Sequence, residues 1–320
     1  MNTYLESVLD TIGNTPLIQL NRLTEAYEGS IFAKVEYVSP GLSKKDRVAL
    51  QMIEDAEKSG LLKKGQAVVE LTSGNMGTGL AIVCQQKGYR FVAVMSKGNS
   101  IERAKMMKAF GADVILVDQL PTSIPGQVSG EDLALVEEKA QQLTKELNAF
   151  RADQFYNDST MLAGEEKIGP EIIEQLGDIP IDIFVDFMGT GGSFIGVSRA
   201  IKKVYPKALC FGIEPENAPY YSNVETGTGK HKLQGGGYNY KLEFVEKYGD
   251  VVDGYLTVND GDAINGAKAL AEKECIFAGF SSGANVAVAL KILGTTHPDK
   301  NIVVLLPDSG TKYLSTDLWT

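Results

Sequence analysis

The stretch Ile183–Val204 reads IFVDFMGTGGSFIGVSRAIKKV, and its reading decides the fold class. An apolar run, Ile183–Phe187, meets a Gly/Thr/Ser turn at Gly189–Ser193, and a helical pattern follows over Ile195–Val204. Strand, glycine turn, helix is the α/β unit that presents backbone N–H groups to a ligand at a helix N-terminus. The order recurs twice. Ala67–Leu71 precedes Gly74–Gly79 and the helical Leu80–Lys87, and Ile276–Phe280 precedes Ser281-Ser282-Gly283 and the helical Asn285–Leu293.

The alternation continues outward from these units. Ile31–Val38, Phe91–Met95, Asp113–Val117, Ala208–Glu214 and Ile302–Leu306 read as strands. Lys45–Ser59, Ile101–Phe110 and Leu133–Leu147 read as helices, the first with Val48, Ala49, Met52, Ile53 and Ala56 at helical spacing. Gln119–Gly130, rich in Pro, Ser and Gly, reads as a loop. Strands alternating with helices predict an α/β protein with open, mostly parallel sheets flanked by helices on both faces. A length of 320 residues predicts two domains or one large α/β unit.

Composition narrows the function classes. Hydrophobic residues at 43% and charged residues at 22% are ordinary for a soluble globular chain. Glycine is the anomaly, at 34 of 320 residues. The net charge of −10 argues against nucleic acid or an anionic membrane surface as partner. No apolar run is long enough to span a bilayer and the N-terminus lacks a signal-peptide core, so the expected location is the cytoplasm. The three cysteines, Cys84, Cys210 and Cys275, form no Cys-x-x-Cys pair and are expected to be buried free thiols. With only two histidines, no zinc, haem or other metal site is expected.

Four segments could carry chemistry. In Ser43-Lys44-Lys45-Asp46-Arg47, Ser43 is the expected N-cap and the lysines fall in the first helical turn. The macrodipole there favours anions, so an amine is biased toward its neutral form, which attacks an aldehyde to give a Schiff base. The plainer reading is a solvated basic helix start, which this segment alone favours. Thr72-Ser73-Gly74-Asn75-Met76-Gly77 offers hydroxyls, an amide and successive N–H groups that suit a carboxylate. Gly189-Thr190-Gly191-Gly192-Ser193 offers similar donors on a backbone that a phosphate can approach closely. No Gly-Lys-Ser/Thr follows, so it is not a Walker loop. Ser281 could hydrogen-bond a heteroaromatic nitrogen without protonating it, with simple N-capping as the plainer reading.

Taken together, and with Asn14-Thr15-Pro16-Leu17 and Leu306-Pro307-Asp308-Ser309-Gly310, these segments occur in the order and spacing of the cysteine synthase/cystathionine β-synthase family of fold-type II pyridoxal-phosphate enzymes. The chain resembles that family from Asn14 to Ser315. The resemblance implies two domains, a smaller mobile one over 43–145 and a larger cofactor-binding one built from 1–42 and 146–320, with pyridoxal 5'-phosphate in the cleft between them. It implies that Lys45 holds the cofactor as a Schiff base and that Gly189, Thr190, Gly191, Gly192 and Ser193 cradle its phosphate. Asn75 would bond the ring 3'-oxygen and Ser281 the pyridine nitrogen. Thr72, Ser73, Gly74, Met76 and Gln154 would hold the substrate carboxylate, and Gly236 and Gly237 would lie on the substrate's side.

A neutral serine at the pyridine nitrogen makes the ring a poor electron sink, so loss of the α-proton to the Lys45 amine in step with β-elimination is favoured. The implied activity is β-replacement on an O-activated serine: O-acetylserine and sulfide giving cysteine and acetate through an α-aminoacrylate intermediate. Alternatives are another donor or nucleophile (O-phosphoserine, cystathionine or lanthionine formation, an amine, sulfide release from cysteine), a dehydratase, or a silent relative that takes a partner's C-terminal tail in the cleft. The resemblance also implies a homodimer with small-molecule substrates. Departures from the family pattern fall at Leu42, Lys44, Met76, Ser96-Lys97 and Tyr238-Asn239-Tyr240. Lys44 is expected to be solvated and dispensable for the Schiff base.

Overall fold

The computed structural model describes residues 4–124, 126, 128–222 and 228–320. In chain order the elements are β1 (Leu17–Gln19), β2 (Ser30–Val35), α1 (Lys45–Ser59), β3 (Val68–Leu71), α2 (Asn75–Lys87), β4 (Phe91–Ser96), α3 (Ile101–Ala109), β5 (Asp113–Val117), α4 (Gly130–Glu146) and β6 (Phe150–Arg151). There follow α5 (Ser159–Ala163), α6 (Gly169–Leu176), β7 (Ile183–Phe187), α7 (Gly192–Val204), β8 (Leu209–Pro215), α8 (Glu243–Tyr248), β9 (Gly254–Val258), α9 (Asp260–Glu274), α10 (Phe280–Thr295) and β10 (Asn301–Leu306).

The strands form two sheets, ordered β1-β2-β10-β7-β8-β9 and β5-β4-β3-β6. Every pairing is parallel except β1 with β2. The smaller sheet takes in β6, which lies just beyond residue 145. Both faces of each sheet are buried, as parallel sheets require. In the larger sheet Ile183, Val185, Ile302 and Val304 face the core under α9 and α10, while Phe184, Val303 and Leu305 face the core under α6 and α7. In the smaller sheet Val68, Phe91 and Ala93 pack on α1 and α2, and Val69, Val92 and Val94 pack on α4. This period of two hides inside continuous apolar runs, because both phases are apolar.

Helix α1 has the span its apolar spacing predicts, with Val48, Ala49, Met52, Ile53 and Ala56 buried and Gly60 closing it in the left-handed region at φ 74°. Between α9 and α10 a glycine is compulsory: a Cβ on Gly283 would lie 2.0 Å from the Ala263 carbonyl oxygen. The helices therefore touch backbone to backbone.

Several expectations are corrected. Ile276–Phe280 is not a strand: Ala278 makes a single bridge to Ser309, and Phe280 already begins α10. Its backbone is committed elsewhere, the Ile276 N–H donating to Leu270 O and the Gly279 N–H to Asp308 O. The strand expected over Ile31–Val38 stops at Val35 and turns into a 3-10 helix at Glu36–Val38. Cys84 and Cys210 are buried, but Cys275 is exposed, in left-handed conformation at the end of α9. In the loop expected over Gln119–Gly130, Pro125 and Gln127 lie outside the described residues.

Candidate active site

Each sheet has a topological switch point, where connections leave neighbouring strands in opposite directions and open a crevice at the carboxyl ends. In the smaller sheet it lies between β3 and β6, and in the larger between β7 and β10. The residues that follow these four strands line one cleft of about 710 Å³. Ser73, Asn75, Met76, Gln154 and Phe155 come from the smaller sheet's crevice, and Gly189, Thr190, Ser193, Pro307 and Asp308 from the larger. Lys44, Lys45 and Ser281 complete the wall.

The two lysines differ sharply. Lys44 is buried at 8% exposure, and its Nζ donates to Asp186 Oδ2 at 2.9 Å and to Ser193 Oγ at 2.6 Å. The expectation of a solvated Lys44 is therefore corrected: a buried carboxylate from β7 draws it in. Lys45, the first residue of α1, has no hydrogen bond or ion pair on its Nζ among the described residues. Burial, and next the neighbouring Lys44 ammonium, bring the Lys45 amine down to about 7. The less tied and more readily neutral amine is Lys45, as the Schiff-base role needs. Ser43 does not cap α1 as expected. Lys44 occupies the cap position, and the Ser43 Oγ accepts a long 3.4 Å bond from the Lys45 N–H.

The glycine loop after β7 leads into α7, whose first-turn N–H groups have no partners within the helix. Gly191 precedes α7 at φ 82°, a conformation that favours glycine. Thr190 Oγ1 accepts from the Gly192 N–H at 3.3 Å, and Ser193 Oγ donates to Asp186 Oδ2 at 3.0 Å. Asn75 opens α2. Its Nδ2 donates to Asp308 Oδ2 at 2.7 Å, its Oδ1 accepts from Lys312 Nζ at 2.7 Å, and Tyr313 donates to the same Asp308 oxygen at 2.6 Å. One Asn75 amide hydrogen remains for a ligand. Ser281 is half-buried on the cleft wall in the first turn of α10, with Gly279 rather than a serine at the cap.

The expected carboxylate loop is internally braced. Thr72 Oγ1 accepts from the Gly74 and Gly77 N–H groups, both at 2.9 Å, and leaves its own O–H to donate. Gly74 packs against the Arg103 side chain, whose Nη1 donates to Ser73 O at 2.7 Å. Met76 touches the cleft but is otherwise part of the core, at 2% exposure. Gln154 Nε2 donates to Leu71 O at 3.1 Å.

An adjoining chamber of about 480 Å³ shares Ser73, Gln234, Gly235 and Tyr238 with the cleft. It is lined further by Thr72, Ser96, Asn99, His231 and Gly236. Gly237 lines neither space. Its N–H donates to Met188 O and its carbonyl meets His231 Nε2 at 2.8 Å. Tyr238 stacks with Tyr240 at 5.8 Å and meets Phe155 edge-on at 6.0 Å, forming an aromatic partition beside the cleft.

Sequence reading missed Asp186, Phe155, Gln234 and the buried role of Lys44. One signal was present: an aspartate inside the otherwise apolar run Ile183–Phe187, which a buried parallel strand tolerates only with a partner.

Comparison with known proteins agrees with this geometry. A family model described as pyridoxal-phosphate dependent enzyme matches residues 8–308. The chain is 40% identical over 314 residues to cysteine synthase B of Campylobacter jejuni, covering 98% of each. It is 37% identical to O-ureido-L-serine synthase of Streptomyces lavendulae, covering 98% of this chain and 92% of that one. The O-acetylserine-dependent cystathionine β-synthase of Helicobacter pylori superposes with a TM-score of 0.90 at 28% identity, over 100% of both chains. Fold, site and matches define a fold-type II pyridoxal-phosphate enzyme. Within that class the chain belongs to the cysteine synthase family.

The residues present fit the cofactor. An amine without a partner among the described residues, a glycine-rich helix N-terminus, an amide with a spare hydrogen and a neutral hydroxyl all border one cleft.

Proposed function

We propose that this protein catalyses β-replacement on O-acetylserine, with sulfide as nucleophile, to give cysteine and acetate. The observation that carries the reading is Lys45, its amine without a partner among the described residues and drawn toward neutrality, in one cleft with Asn75, Thr190, Ser193 and Ser281. Pyridoxal phosphate, when bound, supplies the electron sink for the substrate's α-carbon. Lys45 would hold the cofactor, and its released amine would move the α-proton. Gly189–Ser193 would hold the phosphate, Asn75 the ring oxygen, and Ser281 would hydrogen-bond the pyridine nitrogen without adding charge. Thr72 and Ser73, with the α2 N-terminus and Gln154, would orient the carboxylate.

The adjoining chamber supports acetate over phosphate as leaving group. Among the described residues no lysine or arginine lines it, Arg103 beside Ser73 donates to that residue's carbonyl, and burial lowers the His231 pKa, so the lining offers hydrogen bonds rather than an ion pair. The test is to mix the holoenzyme separately with O-acetylserine, O-phosphoserine, serine and cysteine and follow the cofactor absorbance, then add sulfide and measure cysteine. A spectral change with O-acetylserine and cysteine formation on adding sulfide are expected. A response to O-phosphoserine alone would overturn the choice of donor.

The reading includes a homodimer, supported by the exposed apolar Tyr4, Leu5 and Val8 in the N-terminal segment beside α2, and testable by light scattering. It also includes a reducing compartment, the cytoplasm, supported by three unpaired thiols. Among the described residues no helix is long and apolar enough to cross a membrane.

A further inference from the structure

We propose that Lys44 is a phosphate-binding residue of this chain, its ammonium held at the mouth of the Gly189–Ser193 loop by Asp186 and Ser193. This rests on reading that loop as the cofactor's phosphate site. The Lys44 Nζ spends two donors, at 2.9 Å on Asp186 Oδ2 and at 2.6 Å on Ser193 Oγ. An ammonium has three donors, so one N–H remains. Lys44 also lines the cleft beside Gly189, Thr190 and Ser193, the residues the phosphate would meet.

Charge requires the same assignment. Asp186 is fully buried at the base of the loop, where its Oδ2 accepts from Lys44 and Ser193 and its Oδ1 accepts from Asn285 Nδ2 at 3.1 Å. A lone carboxylate in that position would repel a phosphate dianion across a poorly screened gap. Lys44 cancels it and leaves a donor pointed from a fixed anchor. A helix N-terminus with neutral hydroxyls binds phosphate through partial charges alone. Here a neutral ion pair adds one charge-assisted N–H donor to that set, and Asp186 is the positioning residue that fixes where it stands. Asp186 pairs with Lys44 and not with Lys45, so the amine needed for chemistry stays unencumbered.

The test compares binding of pyridoxal phosphate and of pyridoxal, which lacks the phosphate, to protein stripped of cofactor. The readout is the ratio of the two dissociation constants, taken from ligand absorbance. Lys44→Met alone strands a buried carboxylate and can unfold the protein. The decisive variant is therefore Lys44→Met with Asp186→Asn, in which the pair is removed together. The phosphate preference should fall about tenfold in this variant, the size of one charge-assisted hydrogen bond, with pyridoxal binding little changed. Thr190→Val reports on the loop itself and should also lower the preference. If the double variant keeps the wild-type preference while Thr190→Val loses it, Lys44 is only structural and the proposal fails. If neither variant alters the preference, the loop reading fails and takes the proposal with it.

Discussion

At the scale of the residue, Lys45 owes the lowered pKa of its amine to its surroundings. Burial and the adjacent Lys44 charge bring its amine to about 7, against the ordinary lysine value of 10.5. Half of the amine is then neutral near pH 7, and the neutral fraction is lost as the pH falls further. The rate at which stripped protein captures the cofactor should rise through pH 7 and level off about one unit above it, as stopped-flow absorbance would show. A midpoint near 10 would mean that Lys45 is solvated. Lys45→Ala should lose the covalent link and essentially all turnover. Ser281 makes a different claim. Ser281→Ala should cost little, since one neutral hydrogen bond is worth roughly 0.5–1.5 kcal/mol. Ser281→Asp should lower kcat by roughly two orders of magnitude or more, because a carboxylate there changes the protonation of the ring. A fully active Ser281→Asp enzyme would remove Ser281 from the pyridine nitrogen. Lys44 shows where reading residues in sequence stops. Its partner Asp186 is 142 positions away, and nothing local to Ser43–Arg47 announces that the second of two basic residues is free because the first is tied.

At the scale of the element, α2 and α6 each carry a prediction. Met76 sits in the first turn of α2, buried among the α1 and α2 side chains yet touching the cleft. Met76→Thr exchanges buried methylenes for a hydroxyl, so stability should fall by roughly 2 kcal/mol. The KM for the amino-acid donor should fall severalfold with kcat little changed, the pattern of uniform binding. An unchanged KM in the folded variant would leave Met76 a packing role only. In α6, Glu171 Oε1 and Oε2 accept from Arg47 at 2.6 Å each, and Lys34 Nζ donates to Oε2 at 2.8 Å. Burial opposes the Glu171 charge, but hydrogen bonds from Arg47 and then Lys34 outweigh it and hold the carboxyl at about 2. A carboxylate depressed in the folded state stabilises fully above its unfolded value near 4.3 and progressively less as the pH falls toward 2. The contribution is roughly 2–3 kcal/mol. Glu171→Gln should lower Tm at pH 7 and flatten its fall between pH 5 and pH 3. An unaltered acid limb would contradict this. Elements with one clear period were legible, α1 to the residue. Ile276–Phe280 was not, because an apolar run of strand length carries no mark of whether its N–H groups enter a ladder. Strands β1, β6 and β9 and helices α5, α6, α8 and α9 were also missed: the first two strands are very short, and the half-buried β9 gives a weak pattern.

At the scale of the whole molecule, the loop proposed for the carboxylate follows β3 of the smaller sheet and the loop proposed for the phosphate follows β7 of the larger. A substrate carboxylate at Thr72 and Ser73 would therefore bridge two bodies, and the gain in contacts should draw them together and exclude water. Small-angle scattering of the holoenzyme should show a smaller radius of gyration with a slowly reacting donor analogue than without. Ser73→Ala should weaken the effect. An identical radius in both states would mean that the cleft works without closing. The two-sheet order could be anticipated from strand–turn–helix units. The meeting of the two crevices could not, since it depends on how the sheets pack against each other.

Because two switch points face each other, the molecule divides its labour. Under the proposed roles the larger sheet's loops would grip the phosphate and the smaller sheet's Asn75, Thr72 and Ser73 the ring oxygen and the carboxylate, which every turnover shares, so what changes from one substrate to the next falls to the Tyr238–Tyr240 partition and the adjoining chamber. Variation along the second set can accumulate without loosening the first. Descendants of such a scaffold can thus diversify in diet while inheriting an unaltered engine. Exchanging residues 238–240 and 96–97 with those of a relative should accordingly transfer substrate preference while leaving cofactor retention as it was.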